Sequence, residues 1–264
     1  MAANMVYIKF FKNLSKKDVQ IAGGKGASLG ELTKVKFPVP PGFVVLAGAF
    51  GRFLTETDLN AGILAELKKV KIEDVNSVER ASVVIRDLIH DHGMPDDLQK
   101  EILKAFGELC SETTSSASGR TPLLRKEGSG LVAVRSSATA EDSQVASWAG
   151  ELETYLNTNK KNIIANVKNC WSSLFTPRAI FYRHEKKLID HYVSVAVVVQ
   201  KMIPSEISGI TFTVHPVTED KQQMIIEAAS GLGEAIVSGQ VTPDAYVVLK
   251  QNCSIFDIDR KSVV

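Results

Sequence analysis

Cysteine is scarce in this 264-residue sequence: Cys110, Cys170 and Cys253 are odd in number, far apart and form no CxxC pair. That argues against a disulfide framework or a zinc cluster, and the expectation is a reducing, cytoplasmic compartment. Charge of one sign is lacking too, since 31 Lys plus Arg stand against 30 Asp plus Glu, a net charge of +1. A dedicated nucleic-acid binder normally carries a basic excess, so none is expected, while a local basic pocket for a phosphorylated small molecule stays open. No apolar run reaches the ~18–20 residues of a membrane span, and the longest, 43–50 and 193–199, read as buried segments. The opening MAANMVYIKFFKN has no apolar stretch followed by a small-residue cleavage site, so no secretory signal is expected. HExxH and GxSxG are absent, which removes the common zinc-protease and serine-hydrolase signatures. His90-Asp91-His92 precedes Gly93 and Pro95 and reads as a solvated loop, not a metal site. His184, His191 and His215 are isolated and take no catalytic role.

What is present is an ordinary globular mixture, 44% apolar and 23% charged, enough for one large domain or two small ones. Helical spacing of apolar residues predicts helices over 59–70 (Leu59, Ile63, Leu64, Leu67, Val70), over 77–89, and from Asp96 to about Leu109. Residues 111–119 are rich in Ser and Thr, and about 111–130 reads as a mobile connector. Beyond it the pattern turns strand-rich. A short strand at 131–134 is expected to end in Arg135-Ser136-Ser137, a helix covers 160–174, and β-branched residues mark a buried strand at 192–202. Further strands are expected at 208–213, 223–228, 244–249 and 253–258. Helices first and strands later imply an α+β fold.

Five segments could carry chemistry. Gly23-Gly24-Lys25-Gly26 leads into a helix, where glycine lets backbone approach an anion and Lys25 adds a charge. It is no P-loop, because Gly26 follows the lysine and Val19 occupies the first glycine position; Leu29 likewise breaks a dinucleotide pattern. A plain tight turn is the competing reading. Arg135 with Ser136, Ser137, Thr139, Glu141 and Asp142 suits phosphate recognition, through a fixed fork of donors and adaptable hydroxyls, or else a helix cap. The stretch from Trp148 through Gly150 to Thr154 and Tyr155 could cover a ligand or form a hairpin with its aromatics in the core. Gln200, Lys201, Met202 and Ile203 end a buried strand at Pro204, where backbone groups could meet an adenine edge. Gly231-Leu232-Gly233-Glu234 could line a Mg-phosphate pocket or be an ordinary turn.

Singly these signals are modest, but their order and wording are not. GGKGASLGEL at 23–32, VPPGF at 39–43, VAVRSSATAED at 132–142, SWAGELETYLN at 147–157, SLFTPRAIFYR at 173–183, VVVQKMIPSEISGITFT at 197–213 and EAASGLGEAIVSGQVTPDAY at 227–246 resemble one family throughout. It is that of the N-terminal ATP-binding domain of phosphoenolpyruvate synthase (pyruvate, water dikinase), shared by pyruvate phosphate dikinase and rifampin phosphotransferase.

The resemblance implies an ATP-grasp-like fold with two lobes, 1–199 and 200–264, and nucleotide between them. It implies that Lys25 and Arg135 contact ATP phosphates, that Gly150 and Thr154 touch nucleotide, and that Gln200, Lys201, Met202 and Ile203 lie beside adenine. Glu234 belongs to the glycine-rich turn that completes the set. Relatives continue into an IE…PQDIEWA segment with Mg2+ ligands, which this sequence does not contain; the metal ligands therefore stay unassigned and the C-terminal lobe is expected to be incomplete. The implied activity is phosphorylation of a histidine on a separate domain, for transfer to pyruvate, with phosphohistidine and pyruvate-binding domains as partners in the full-length protein. No nucleic acid and no membrane are expected as partners. This chain alone is expected to be inactive. A related phosphotransferase, or a non-catalytic ATP-binding module, remains open at this point.

Overall fold

The computed structural model describes residues 6–111, 130–139, 153–186 and 194–260. Most of the expected connector at 111–130 therefore lies outside the described residues, as do Glu141, Asp142, Trp148, Gly150 and His191. The chain divides into two units, Met1–Met202 and Ile203–Val264. Both are α+β with antiparallel strand pairs.

In the first unit, β1 (Ile8–Phe10), β2 (Gly42–Val45), β3 (Val132–Ala138), β4 (Thr154–Thr158) and β5 (Val195–Lys201) form a sheet in the order β1-β2-β5-β3-β4. Residues 195–199 of β5 are all buried because both faces of the sheet are covered. On one face lies α1 (Val19–Lys34), whose Ala22 packs with Phe11, Leu14, Val44, Ala196 and Val198. On the other lie α2 (Ala47–Glu56), α3 (Leu59–Lys68), α4 (Val75–Asp91), α5 (Asp96–Ser111), α6 (Ile163–Ser172) and α7 (Pro177–Glu185), which share one core with Phe43, Val134, Val197 and Val199. The indole of Trp171 anchors that core against Phe50 and Phe53, at ring-centroid distances of 5.4 and 5.2 Å.

Local chemistry explains the elements. Val78, Ala81, Ile85 and Ile89 recur at three- and four-residue spacing and are buried, and the Asp74 carboxylate caps α4 by accepting the Asn76 amide at 3.1 Å. Leu98, Ile102, Ala105 and Leu109 do the same for α5, whose first turn carries Asp96 and Asp97. Thr176 caps α7 through the Ala179 amide at 3.2 Å, with Pro177 as the first helical residue.

Two sequence expectations need correction, and the apolar run at 43–50, buried as expected, is divided more finely. Strands are not confined to the second half, since β1 and β2 come from the N-terminal region and build one side of the first sheet. The apolar run at 43–50 is shared by two elements, with Leu46 (φ −68°, ψ 154°) as the extended residue between β2 and α2. Arg135, Ser136 and Ser137 do not follow β3; they are inside it. Buried serines are tolerated there because each hydroxyl is satisfied: Ser136 donates to the Glu153 carbonyl at 2.9 Å and Ser137 to the Ala22 carbonyl at 3.1 Å.

The second unit is a meander of β6 (Ile207–Phe212), β7 (Gln223–Ser230), β8 (Asp244–Leu249) and β9 (Ser254–Asp259), in that order, with the short α8 (Glu234–Val237) against β7. Ile225, Val248 and Ile236 form its buried centre. Among the described residues no helix is long and apolar enough to cross a membrane.

Candidate functional site

The glycines around Lys25 set up the site. α1 is not continuous: Gly23 has φ +68° and ψ 170°, so one helical segment ends at Ala22 and another begins at Gly24. This conformation is essentially reserved for glycine. Contact enforces the same choice, because a Cβ on Gly23 would lie 2.2 Å from the Ser137 hydroxyl and 2.4 Å from the Ser137 carbonyl oxygen. Lys25, half-buried, is the second residue of that segment, in a helix that packs on β3 and β5. Gly42 answers a similar demand where VPPGF enters the sheet: a Cβ there would meet the Val199 carbonyl oxygen at 2.4 Å and the Phe11 ring at 2.5 Å.

Strand register decides which side chains share a face, since cross-strand partners point the same way and neighbours along a strand point oppositely. Arg135 is opposite Thr154 on β4 and Val198 on β5. Ser137 is opposite Ala196, and Gln200 is opposite Ala133 and Gly42. Val198 and Ala196 pack with α1. Arg135, Ser137, Thr154 and Gln200 therefore all belong to the α1 face, the face that carries Lys25. Arg135, Thr154 and Gln200, sequence-predicted residues far apart in the chain, thus share the sheet face on which the helix of Lys25 packs.

Neighbouring contacts hold that face in place. The Ser136 amide and hydroxyl both donate to the Glu153 carbonyl, at 3.2 and 2.9 Å. The Glu153 carboxylate accepts the Tyr155 hydroxyl and pairs with Arg86 of α4 at 3.6 Å. Thr154 itself is exposed, while Tyr155, opposite Val134, packs against the core on the other face.

The strand-end segment is divided between environments. Gln200 donates from Nε2 to the Pro40 carbonyl at 3.1 Å. Lys201 is opposite Val132 and so belongs to the face away from α1. Its charge reaches Cys110 on α5, whose thiol is pushed up by burial and partly pulled back by that ammonium. The amides of Lys201 and Met202 donate to the carbonyls of Pro41 and Leu131 at 2.9 and 3.1 Å, and the Asn157 amide approaches the Met202 sulfur at 3.0 Å. Ile203 is exposed and opens the second unit. There Glu234 is exposed at the start of α8, after Gly231 (φ +87°), which is fixed by its amide to the Glu206 carbonyl and by the Ser208 hydroxyl to its own carbonyl, both at 2.7 Å.

Sequence reasoning named Ser137 only as one of the hydroxyls after Arg135; the structure adds that it stands two residues beyond Arg135 on the same face of one strand. It also read His90-Asp91-His92 as a solvated loop, whereas His90 and Asp91 form the last turn of α4. The Lys168 ammonium of α6 donates to the His90 and His92 carbonyls at 2.6 and 2.7 Å, a cation capping a helix C-terminus. His90 Nε2 lies 3.1 Å from the Ser172 hydroxyl, which itself donates to the Asn169 carbonyl, so the imidazole is the donor of the pair. Burial lowers the His90 pKa from 6.5, and Lys168 and Arg86 add to it against the opposing Asp87 and Asp91. The folded state thus resists protonation, and stability is lost as pH falls below 6.5, because the unfolded chain takes up the proton first. Denaturation midpoints should drop between about pH 7 and pH 5, and His90→Gln should flatten that slope. An unchanged slope in the variant would remove His90 as its source.

Arg135 and Thr154 share one sheet face with the glycine break of α1 beside Lys25, in an α+β fold of antiparallel sheets. Residues 19–263 match the family described as pyruvate phosphate dikinase, AMP/ATP-binding domain. The chain is 46% identical over 256 residues to the probable phosphoenolpyruvate synthase of Methanocaldococcus jannaschii, covering 96% of this chain and 20% of that protein. It is 47% identical over 241 residues to the probable phosphoenolpyruvate synthase of Archaeoglobus fulgidus, covering 91% and 30%. Against the phosphoenolpyruvate synthase of Pyrococcus furiosus the identity is 39% over 277 residues, covering 92% and 32%. The chain belongs to the pyruvate phosphate dikinase AMP/ATP-binding domain family. It spans between 20% and 32% of the length of these three relatives.

Proposed function

We propose that this chain is the ATP-binding part of a phosphoenolpyruvate synthase-like dikinase with an ATP-grasp-like fold. The observation that carries the reading is that Arg135, Thr154 and Gln200 share the sheet face on which the helix of Lys25 packs. In this reading Lys25 and Arg135 neutralise the polyphosphate. Thr154 and Gly150 touch the nucleotide, and Gln200 to Ile203 border the adenine. Phosphoryl transfer is mostly positioning and charge neutralisation, and a guanidinium fork beside an ammonium supplies both. Because the amides of Lys201 and Met202 already donate within the sheet, the base would be read by carbonyls of this segment and by the Ile203 amide. Glu234 is the acidic residue of the glycine-rich turn within the second unit.

The phosphoryl group would pass to a histidine on a separate domain and from there to pyruvate. The names and greater length of the relatives support that extension. Magnesium would accompany the nucleotide, but among the described residues no group of three or more His, Cys, Asp or Glu could hold a metal. Magnesium carried by a nucleotide takes most of its ligands from phosphate and water and needs only one or two carboxylates from the protein. Cys110, Cys170 and Cys253 form no disulfide, which fits the cytoplasmic location we propose.

Calorimetric titration with ATP, ADP and AMP tests the reading. Affinity should fall in that order, by about tenfold or more for each phosphate whose charge-assisted contacts are lost. An affinity independent of phosphate number, or no saturable binding of ATP, would sink it.

A further inference from the structure

Counting from the break in α1, Gly23 is the N-cap of the second helical segment and Gly26 its third residue. An N-cap side-chain oxygen ordinarily accepts the amide of the second or third residue, and glycine has none to offer. Here the acceptor comes from another strand. The Gly26 amide donates to the Ser137 hydroxyl at 3.4 Å, across 111 positions of sequence. The same hydroxyl donates to the carbonyl of Ala22, the last residue before the break, at 3.1 Å. One fully buried oxygen therefore bridges both sides of the break. Lys25 lies two residues after Gly23, and Arg135 lies two residues before Ser137 on the same face of β3.

We infer that Ser137 is a positioning residue of the phosphate site: its hydroxyl serves as a surrogate N-cap that holds the Gly23 break and so sets the Lys25 ammonium relative to the Arg135 guanidinium. The inference rests on the proposed role of Lys25 and Arg135 toward ATP. Ser137 contacts no phosphate, because it is fully buried and its proton and one of its two acceptor positions are committed to α1. Its whole effect on ATP passes through Lys25. A serine that served only to fill and satisfy the interior would affect stability, and any effect on ATP would not depend on which residue stands at position 25.

A double-mutant cycle separates the two. ATP affinity is measured by calorimetry for the wild-type chain, Ser137→Ala, Lys25→Ala and the double variant, with circular dichroism and thermal melting as the check on folding. Ser137→Ala should weaken ATP binding about tenfold in the wild-type background and less than about twofold beside Lys25→Ala, a coupling of the size found between interacting residues. No loss with Ser137→Ala, or an equal loss in both backgrounds, overturns the inference. If Lys25→Ala alone leaves ATP affinity unchanged, the proposed role of Lys25 toward ATP has failed and this inference with it, and the cycle reports that separately. Should Ser137→Ala not fold, Ser137→Cys, which keeps the volume but only a weak donor and acceptor, goes through the same comparison with the same outcomes.

Discussion

Gly23→Ala is expected to destabilise the first unit by about 3 kcal/mol or more, from two effects that act together. Its backbone, at φ +68° and ψ 170°, lies in a region that costs any side chain of ordinary chirality roughly 1–3 kcal/mol. The added methyl would also lie 2.4 Å from the Ser137 carbonyl oxygen. That oxygen cannot retreat alone, because Ser137 is paired with Ala196 inside the sheet. Relief would require α1 to lift from β3, and ATP binding should be lost with it. Gly107 is the control: it is an exposed residue inside α5, and a Cβ there meets nothing within 4 Å. Gly107→Ala should stabilise by about 0.5–1 kcal/mol, the ordinary helix-propensity gain. Urea denaturation measures both. A Gly23→Ala variant within about 0.5 kcal/mol of wild type, the range of an ordinary surface substitution, would show that the break is not held as described.

How legible these features were depended on the range of the interactions behind them. The helices over 59–70, 77–89 and 96–109 could be read because their apolar spacing records which side faces a core, and the structure has helices at Leu59–Lys68, Val75–Asp91 and Asp96–Ser111. β2 was harder to see, because four buried residues, Gly42–Val45, run directly into α2 and offer no alternation. β3 was read too short, because Ser136 and Ser137 look like the polar end of a strand until Glu153 and Ala22 are known to accept their hydroxyl protons. The capping of α4 by Lys168 was invisible for the same reason: a lysine 76 to 78 positions away along the chain supplies the donors. The motif residues Lys25, Arg135, Thr154 and Gln200 stood out by composition and family wording. That the last three share a face follows only from the register of β3 with β4 and β5, which local sequence does not encode.

That shared face yields the second large effect. Lys25→Ala and Arg135→Ala are each expected to weaken ATP binding by about 10- to 150-fold, the equivalent of ~1.5–3 kcal/mol for a charge-assisted contact. Neither change should unfold the chain. Lys25 is half-buried on the edge of α1, and the flanking Val134 and Ser136 of β3 point into the opposite core and stay anchored when Arg135 is truncated. Arg135→Lys should recover only part of the loss, since an ammonium restores the charge but not the planar fork that grips phosphate oxygens in pairs. Raising the ionic strength should weaken binding to the wild type more than to either alanine variant, because each variant has one charge fewer to screen. ATP affinities within experimental error of wild type in both alanine variants, with melting curves unchanged, would remove the α1 face from the phosphate site. If only Arg135→Ala weakened binding, the strand would keep its role. Lys25 would then be an ordinary lysine on a glycine-rich turn, as its sequence neighbourhood alone allows.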